Sequence, residues 1–353
     1  MSLHLRKASI VSLAIVLSCS YCHPRSTHPS PEDRSFYCWK SVFSLTGKER
    51  KYLQLLRIHQ LYVRFFDVTW DAQRGRAMPT APVRFHDSSY QSYRIIPVVF
   101  LTNEVLANLD TATEVQVLAN NIAHLTTQLR ENNRIPPPTE LQLDCDWTAT
   151  TRDRYFALLK RIRAWMDAHG QKPTQLSATI RLYQCKYRDL TGVPPVDKGL
   201  LMCYNMGDLK NTMAHNSILE TAELEKYTSH LPSYPLPLDV ALPIFNWKVY
   251  FHEGRYAGLV ESLPTTLLDN AAVTRSGNFY TFKRDTSLSG YSFEKGDQLR
   301  DEQSDYAALQ AAAQVVARQL KRPPGAVLFF QLDSTNLANY TTDDLENIYS
   351  DFN

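Results

Sequence analysis

Eight short apolar runs recur along this chain, several of them separated by segments of helical periodicity, and no other feature limits its folding as much. The runs are 36–43 (FYCWKSVF), 61–69 (LYVRFFDVT), 95–101 (IIPVVFL), 140–147 (ELQLDCDW), 176–183 (LSATIRLY), 199–206 (GLLMCYNM), 240–247 (VALPIFNW) and 326–332 (AVLFFQL). Each has the length of a strand, and most are rich in β-branched or aromatic residues. Between them, 48–60 carries Tyr52, Leu55, Leu56 and His59 at helical spacing, and Val115, Leu118, Ile122, Leu125 and Leu129 form one face of a later helix. Segment 151–169 places Tyr155, Leu158, Ile162, Trp165 and Met166 in a stripe that ends at Gly170, a suitable C-cap. Ser217 and Glu220 read as a capping box for a helix to Tyr227, and Ser304 as the N-cap of an Ala-rich helix over 305–321. This alternation predicts the α/β class and a (β/α)8 TIM barrel. Two packed α/β domains are the alternative; the regular count and the lack of a linker-like midchain segment favour one barrel over 35–353. Segment 248–303, with KVYFHEGRYAGLV and NFYTFKRDT, reads as a β-rich insertion after strand seven.

The N-terminus reads as an address. His4, Arg6 and Lys7 precede an apolar or small run over 8–18 that ends at Cys19; it is too short to span a bilayer and fits a signal-peptide core over 1–18. Val16-Leu17-Ser18-Cys19 resembles a bacterial lipoprotein processing box, which implies lipidation of Cys19 and a membrane-anchored protein of the cell envelope. An ordinary cleaved signal with an incidental Cys is the alternative. Residues 19–34, rich in Pro, Ser, Thr and His, read as a tether, and Ser20 after the Cys points to the outer membrane. With 38 Lys+Arg against 36 Asp+Glu, the net charge of +2 falls to about zero once Arg6 and Lys7 leave. Nucleic acid is thereby excluded as an expected partner.

Strand four is the segment richest in chemistry. Gln142, Asp144, Asp146 and Thr148 alternate with Leu143, Cys145 and Trp147, so period two puts the polar groups on one face, inward in a closed barrel. Two carboxylates two residues apart repel each other, and one should have a raised pKa unless a cation compensates. Such a pair can act as general acid and base. Arg64 and Arg181 are candidate cations, and a buried Asp/Arg network that only fixes barrel register is the structural alternative. Asp67, Asn103, Glu104, Tyr204, Asn205, Asn246, Gln331 and Asp333 also fall near strand C-terminal ends, the functional side of such barrels. Trp39, Trp70, Trp147, Tyr204 and Trp247 lie near those ends too, where a sugar ring could stack.

These residues carry a resemblance. Asp144-Cys145-Asp146-Trp147-Thr148 resembles the strand-four DxxDxDxE signature of family 18 glycoside hydrolases, and Met202-Cys203-Tyr204-Asn205 resembles that family's MxYD. Ala241-Leu242-Pro243-Ile244-Phe245 resembles its GxPxY, and 325–333 (GAVLFFQLD) its last strand, where a Trp floors the sugar site. The resemblance spans most of 35–335 and implies a glycan partner. The departures are specific: the catalytic Glu falls on Thr148, the motif's first Asp on Leu141 and the floor Trp on Phe330, so the substrate-assisted mechanism lacks its acid. The chain is also similar to an uncharacterised family of bacterial secreted barrels with a strand-four LDxD and a Gly-Asp-x-x-Arg-x-Glu segment, here Gly296 to Glu302.

No HExxH, clustered CxxC beyond Cys19/Cys22, Gly-x-Ser-x-Gly or phosphate loop is present, so neither a metal nor a cofactor is expected. Cys38, Cys145 and Cys203 read as buried free thiols; Cys185 could pair with one of them. The first expectation is a lipid-anchored barrel that binds a glycan and acts on it through Asp144 and Asp146, with Glu104, Glu140 or Glu302 as the missing acid. Arg64, Asp67, Trp147, Tyr204, Asn205, Asn246, Trp247, Phe330, Gln331 and Asp333 would contact the sugar. The alternatives are a non-catalytic carbohydrate-binding lipoprotein and an envelope assembly partner, and the oligomeric state is left open.

Overall fold

Alternating apolar residues make each barrel strand two-sided, one face for the helices and one for the interior, and eight such strands close on one another. The structure is a computed structural model that describes residues 34–170, 174–261 and 263–352; the expected signal segment, Cys19, Cys22 and the tether up to residue 33 lie outside the described residues. The strands are β1 (Arg34–Cys38), β2 (Gln60–Asp71), β3 (Arg94–Leu101), β4 (Glu140–Cys145), β5 (Gln175–Arg181), β6 (Lys198–Met202), β7 (Leu238–Pro243) and β8 (Val327–Phe330). Each is parallel to its neighbours in chain order, and β1 pairs with both β2 (Tyr37 opposite Tyr62) and β8 (Phe36 opposite Phe329), which closes the barrel.

Helices cover the outside: α1 (Gly47–Leu55), α2 (Asn103–Asn108), α3 (Ala112–Asn132), α4 (Arg152–Ala168), α5 (Leu182–Lys186), α6 (Thr221–Thr228), α7 (Tyr306–Gln319) and α8 (Thr342–Ser350). Capping boxes start α1 (Thr46 with Glu49), α3 (Thr111 with Glu114) and α8 (Thr341 with Asp344). The expected box at Ser217 does not form. Glu220 precedes α6 without a side-chain cap, and the Ser217 hydroxyl turns to Glu302 instead. Asp305, not Ser304, caps α7. Helical periodicity ends early at α1 because Gln60 already belongs to β2, and the seventh run splits into β7 and a separate strand from Asn246.

The interior near the strand N-termini is polar. Lys198 Nζ lies 2.7 Å from Glu140 and 2.6 Å from Asp239, while Glu140 accepts from the Tyr62 hydroxyl at 2.9 Å and from the Ser177 hydroxyl at 2.5 Å. Burial alone would lower the Lys198 pKa, but Asp239 and Glu140 outweigh it and hold the ammonium well above its usual range. The carboxyl of Asp239 is pushed up by burial despite Lys198. Glu140, expected as a spare acid, is thus enclosed and paired at the foot of the barrel. Arg34 sits at the same pole, where β1 begins, clamped by both oxygens of Glu346 in α8. Cys38, Cys145, Cys185 and Cys203 are all free and buried, and burial pushes the Cys38 thiol up to about 11.

Between β7 and α7 lies an antiparallel sheet in the order Arg255–Val260, Asn246–His252, Gln298–Gln303, Phe279–Phe282, Val273–Ser276, with its own apolar cluster around Phe282, Phe293 and Leu299. The Gly296–Glu302 segment has a structural job there. Gly296 adopts φ +98, which suits glycine, and the buried Asp297 accepts from Tyr250 (2.6 Å), His252 (2.8 Å) and the Glu294 amide (2.7 Å).

Candidate functional site

The mouth of the barrel, at the C-terminal strand ends, gathers most of the expected residues. Gln142, Asp144 and Asp146 all point inward, as period two requires: Gln142 accepts from Tyr37, Asp144 accepts from Thr179 at 2.7 Å, and Asp146 accepts from Arg181 through both of its oxygens. The ion pair is open to solvent, with side-chain exposures of 37% for Arg181 and 44% for Asp146. Asp144 sits one layer deeper, opposite Phe100 of β3. Burial, and then repulsion from Asp146, pushes its pKa to about 7, against the Thr179 hydroxyl and Arg181, which pull it down. Near neutrality this carboxyl is therefore shared between its acid and its charged form. Arg64, the other candidate cation, pairs with Asp67 at 2.6 Å, and burial raises the Asp67 carboxyl in spite of that partner.

An aromatic surface flanks these charges. Phe330, at the end of β8, stacks on Tyr204 (5.4 Å between centroids, 27°) and meets Trp39 (5.5 Å), Tyr37 (5.6 Å) and Phe245 (5.7 Å). Trp39 in turn packs edge-on against Phe100, and Trp247 against Phe245. Trp39, Phe100, Trp247 and Phe330 remain half-buried, so rings as well as charges face the mouth. Asn205, exposed at φ +56, turns the chain just after Tyr204, in a conformation Asn tolerates.

Other expected residues stand apart. Trp147 is buried, stacked on Tyr155 at 5.1 Å and bonded through Nε1 to the Thr191 carbonyl, so it belongs to the packing under α4 and offers no face to a ligand. Trp70 lies on the extension of β2, paired with Ala77 in a hairpin to Arg76–Thr80. Glu302 is also corrected: fully buried, it pairs with Arg300 at 2.6 Å and accepts from Ser217 and, at 2.8 Å, from Trp247 Nε1. A carboxylate held this way orients Trp247 and has no open path to a ligand's proton. Glu104 is exposed in the first turn of α2, and its carboxylate has no partner among the described residues. Asn246 begins an insertion strand opposite Gln303. Gln331 is partly buried, and Asp333 accepts from the Thr335 amide at 2.8 Å. Thr148 is exposed in a turn with Thr150 and Thr151, its hydroxyl 2.9 Å from that of Thr150. Two residues at the mouth escaped the sequence reading. Phe100 looked like one more apolar strand residue, and Thr179 sat unremarked in strand five, although its position opposite Asp144 follows from aligning the two strands.

No protein-family model matches the sequence, and no curated protein matches it. Among solved structures, the spore cortex-lytic enzyme SleL of Bacillus megaterium superposes with a TM-score of 0.55 at 12% identity, over 91% of this chain and 74% of that one. A class V chitinase mutant of Cycas revoluta in complex with (GlcNAc)3 gives 0.52 at 12% identity, over 90% and 99%. A chitinase of Chromobacterium violaceum gives 0.50 at 10% identity, over 87% and 97%. The chain has the (β/α)8 fold of family 18 glycoside hydrolases, at sequence identities that speak to fold alone.

Proposed function

We propose that this chain is a glycan-binding barrel that holds a neutral saccharide against the aromatic surface of the mouth without cleaving it. The observation that carries this reading is the Arg181 clamp on both oxygens of Asp146, next to a turn where the family's acid position is Thr148. A carboxylate whose lone pairs are occupied by a guanidinium is a poor base, and a threonine hydroxyl cannot protonate a leaving group. The half-buried rings of Trp39, Phe330 and Trp247 suit the apolar faces of pyranoses, and the near-zero charge expected of the mature chain suits an uncharged ligand. The solved neighbours that are chitinases, one of them holding (GlcNAc)3, support a saccharide as the ligand class.

The test is a glycan array joined to a hydrolysis screen on the protein without residues 1–19. Binding without turnover is the expected result. Phe330→Ala should weaken binding about tenfold or more, measured by calorimetry with the fold checked by circular dichroism, because it removes the ring that Tyr204 and Trp39 pack on. Unchanged affinity would take Phe330 out of the site. A second reading, hydrolysis with Asp144 as the proton donor, is favoured by its pKa of about 7. Turnover that disappears in Asp144→Asn would establish that reading over the first.

The same proposal includes a lipid on Cys19 and an outer-membrane location, supported by the basic start, short apolar run and processing box. Metabolic labelling with an alkyne fatty acid should mark the full chain and not Cys19→Ala; equal labelling of the two, or none of either, would remove the anchor.

A further inference from the structure

A net charge near zero says nothing about how charges are spread, and one face of a nearly neutral chain can be basic. The foot of the barrel is such a face. Arg94 opens β3, opposite Gln60 at the start of β2, and Arg134 lies in the turn between α3 and β4. Lys321 and Arg322 lie in the turn between α7 and β8. All four residues are exposed, and none has an ion-pair or side-chain hydrogen-bond partner among the described residues. The carboxylates on the same side are engaged: Glu131 with Arg130 at 2.8 Å, Glu346 with Arg34 and Arg57, and Asp351 with Gln314 at 3.2 Å. Arg318 already sits at the carbonyl end of α7, so that helix does not need Lys321 and Arg322 to balance its dipole.

Barrel closure gathers these cations. The wall runs β8, β1, β2, β3, β4, so the four free cations lie along one arc of the foot, with Arg34 and the entry of the described chain inside it. Neighbouring strands lie about 4.8 Å apart, so five strand starts span about 20 Å. Charges spread over that distance act together at low salt. At the β8 end the arc meets an open cleft of about 230 Å³, walled by Leu231, Leu236, Leu238 and Leu320 and edged by Lys321 and Arg322. Leu236 and Leu320 are only partly buried. Exposed cations beside an apolar cleft match a partner that is anionic at its surface and hydrocarbon beneath. We propose that this arc of the foot is a docking surface for an anionic lipid bilayer, with headgroups on Arg94, Arg134, Lys321 and Arg322 and the cleft facing the acyl boundary. A nucleic acid would use the cations and leave the leucines idle. Adsorbed in this way, the barrel holds Asp146 and Phe330 on the side away from the bilayer. The proposal goes beyond the glycan reading and does not depend on a lipid at Cys19.

The test is sedimentation of the protein without residues 1–19 with vesicles of phosphatidylcholine alone or with about 30% phosphatidylglycerol. Adsorption to the anionic vesicles and not to the neutral ones is expected, and it should fade as NaCl rises from about 50 mM to about 500 mM. Each Lys or Arg at an anionic surface is worth about fivefold in partition. Arg94→Gln, Arg134→Gln, Lys321→Gln and Arg322→Gln combined should therefore weaken adsorption about tenfold or more, with circular dichroism unchanged because the four residues are exposed. Lys210→Gln, Lys283→Gln, Arg284→Gln and Lys295→Gln combined remove the same charge from exposed positions on the mouth side and should change adsorption by less than about threefold. No adsorption of the wild type, equal adsorption to neutral vesicles, or equal loss in the two variants would overturn the proposal. So would duplex DNA that binds as tightly as the vesicles and is lost in the same foot variant, since the foot would then answer to any polyanion. Labelling of Cys19 and the glycan array decide their own readings separately.

Discussion

Lys198→Met is expected to destabilise the protein by about 3–5 kcal/mol at pH 8, the range for breaking a buried ion pair from one side. The ammonium is shared by two enclosed carboxylates, Glu140 and Asp239, at 2.7 and 2.6 Å. Without it neither has a cation, and the hydrogen bonds from Tyr62, Ser177 and the Ala326 amide do not replace one. Without the cation the Asp239 carboxyl, already pushed up by burial, should take up a proton, so its folded-state pKa rises further above its unfolded value. Such a group binds more protons folded than unfolded, and the deficit should shrink as pH falls from 8 towards 5. Replacing all three residues together, as Lys198→Met with Glu140→Gln and Asp239→Asn, should recover much of the loss, since the charge and its counter-charges go together. Urea unfolding across pH gives the answer; a loss that is independent of pH, or strict additivity in the triple variant, would contradict this account.

Asp144→Asn is expected to act in the opposite direction. Burial first and Asp146 second hold the Asp144 pKa at about 7, above the usual value of about 3.9 for an unfolded Asp. Between those two pH values the folded state binds more protons, so stability declines as pH rises through the window, and the whole penalty is present above about pH 7. The shift alone corresponds to about 4 kcal/mol; because the side chain is only partly buried, about 2 kcal/mol is a better expectation after screening. Asn keeps an oxygen for the Thr179 hydroxyl and carries no charge. The variant should exceed the parent by about 2 kcal/mol at pH 8.5 and match it near pH 4. A variant less stable than the parent at pH 8.5 would show that the ionised carboxylate is held by more than the structure accounts for.

Much of this was legible in the sequence, for a local reason. A strand repeats every two residues, so Gln142, Asp144 and Asp146 declared a shared face without any knowledge of their neighbours, and the eight runs declared the barrel. Arg64 and Arg181 could both be named as candidate cations for the strand-four carboxylates, but which carboxylate each meets could not: Arg181 pairs with Asp146 and Arg64 with Asp67. What stayed hidden depends on closure and burial. Trp39 and Phe330 are 291 positions apart and touch only because β1 pairs with β8. Glu302 looked like a spare acid until its partner Arg300, two residues away on the same strand, proved to be wholly buried with it. Trp147 shares the apolar side of strand four with Leu143 and Cys145, and the packing of α4 decides that its ring faces Tyr155.

β1 begins at Arg34 on the pole that holds Lys198 and Glu140, and the pole that carries Asp146 and Phe330 is the other one. The described chain therefore enters the barrel at its foot, at the opposite end from the rings of the mouth. Immobilisation through the N-terminus should therefore leave ligand capture intact. Attachment through lysines placed around the rim should instead mask it, so a pair of differently oriented chips reports the polarity of the molecule directly.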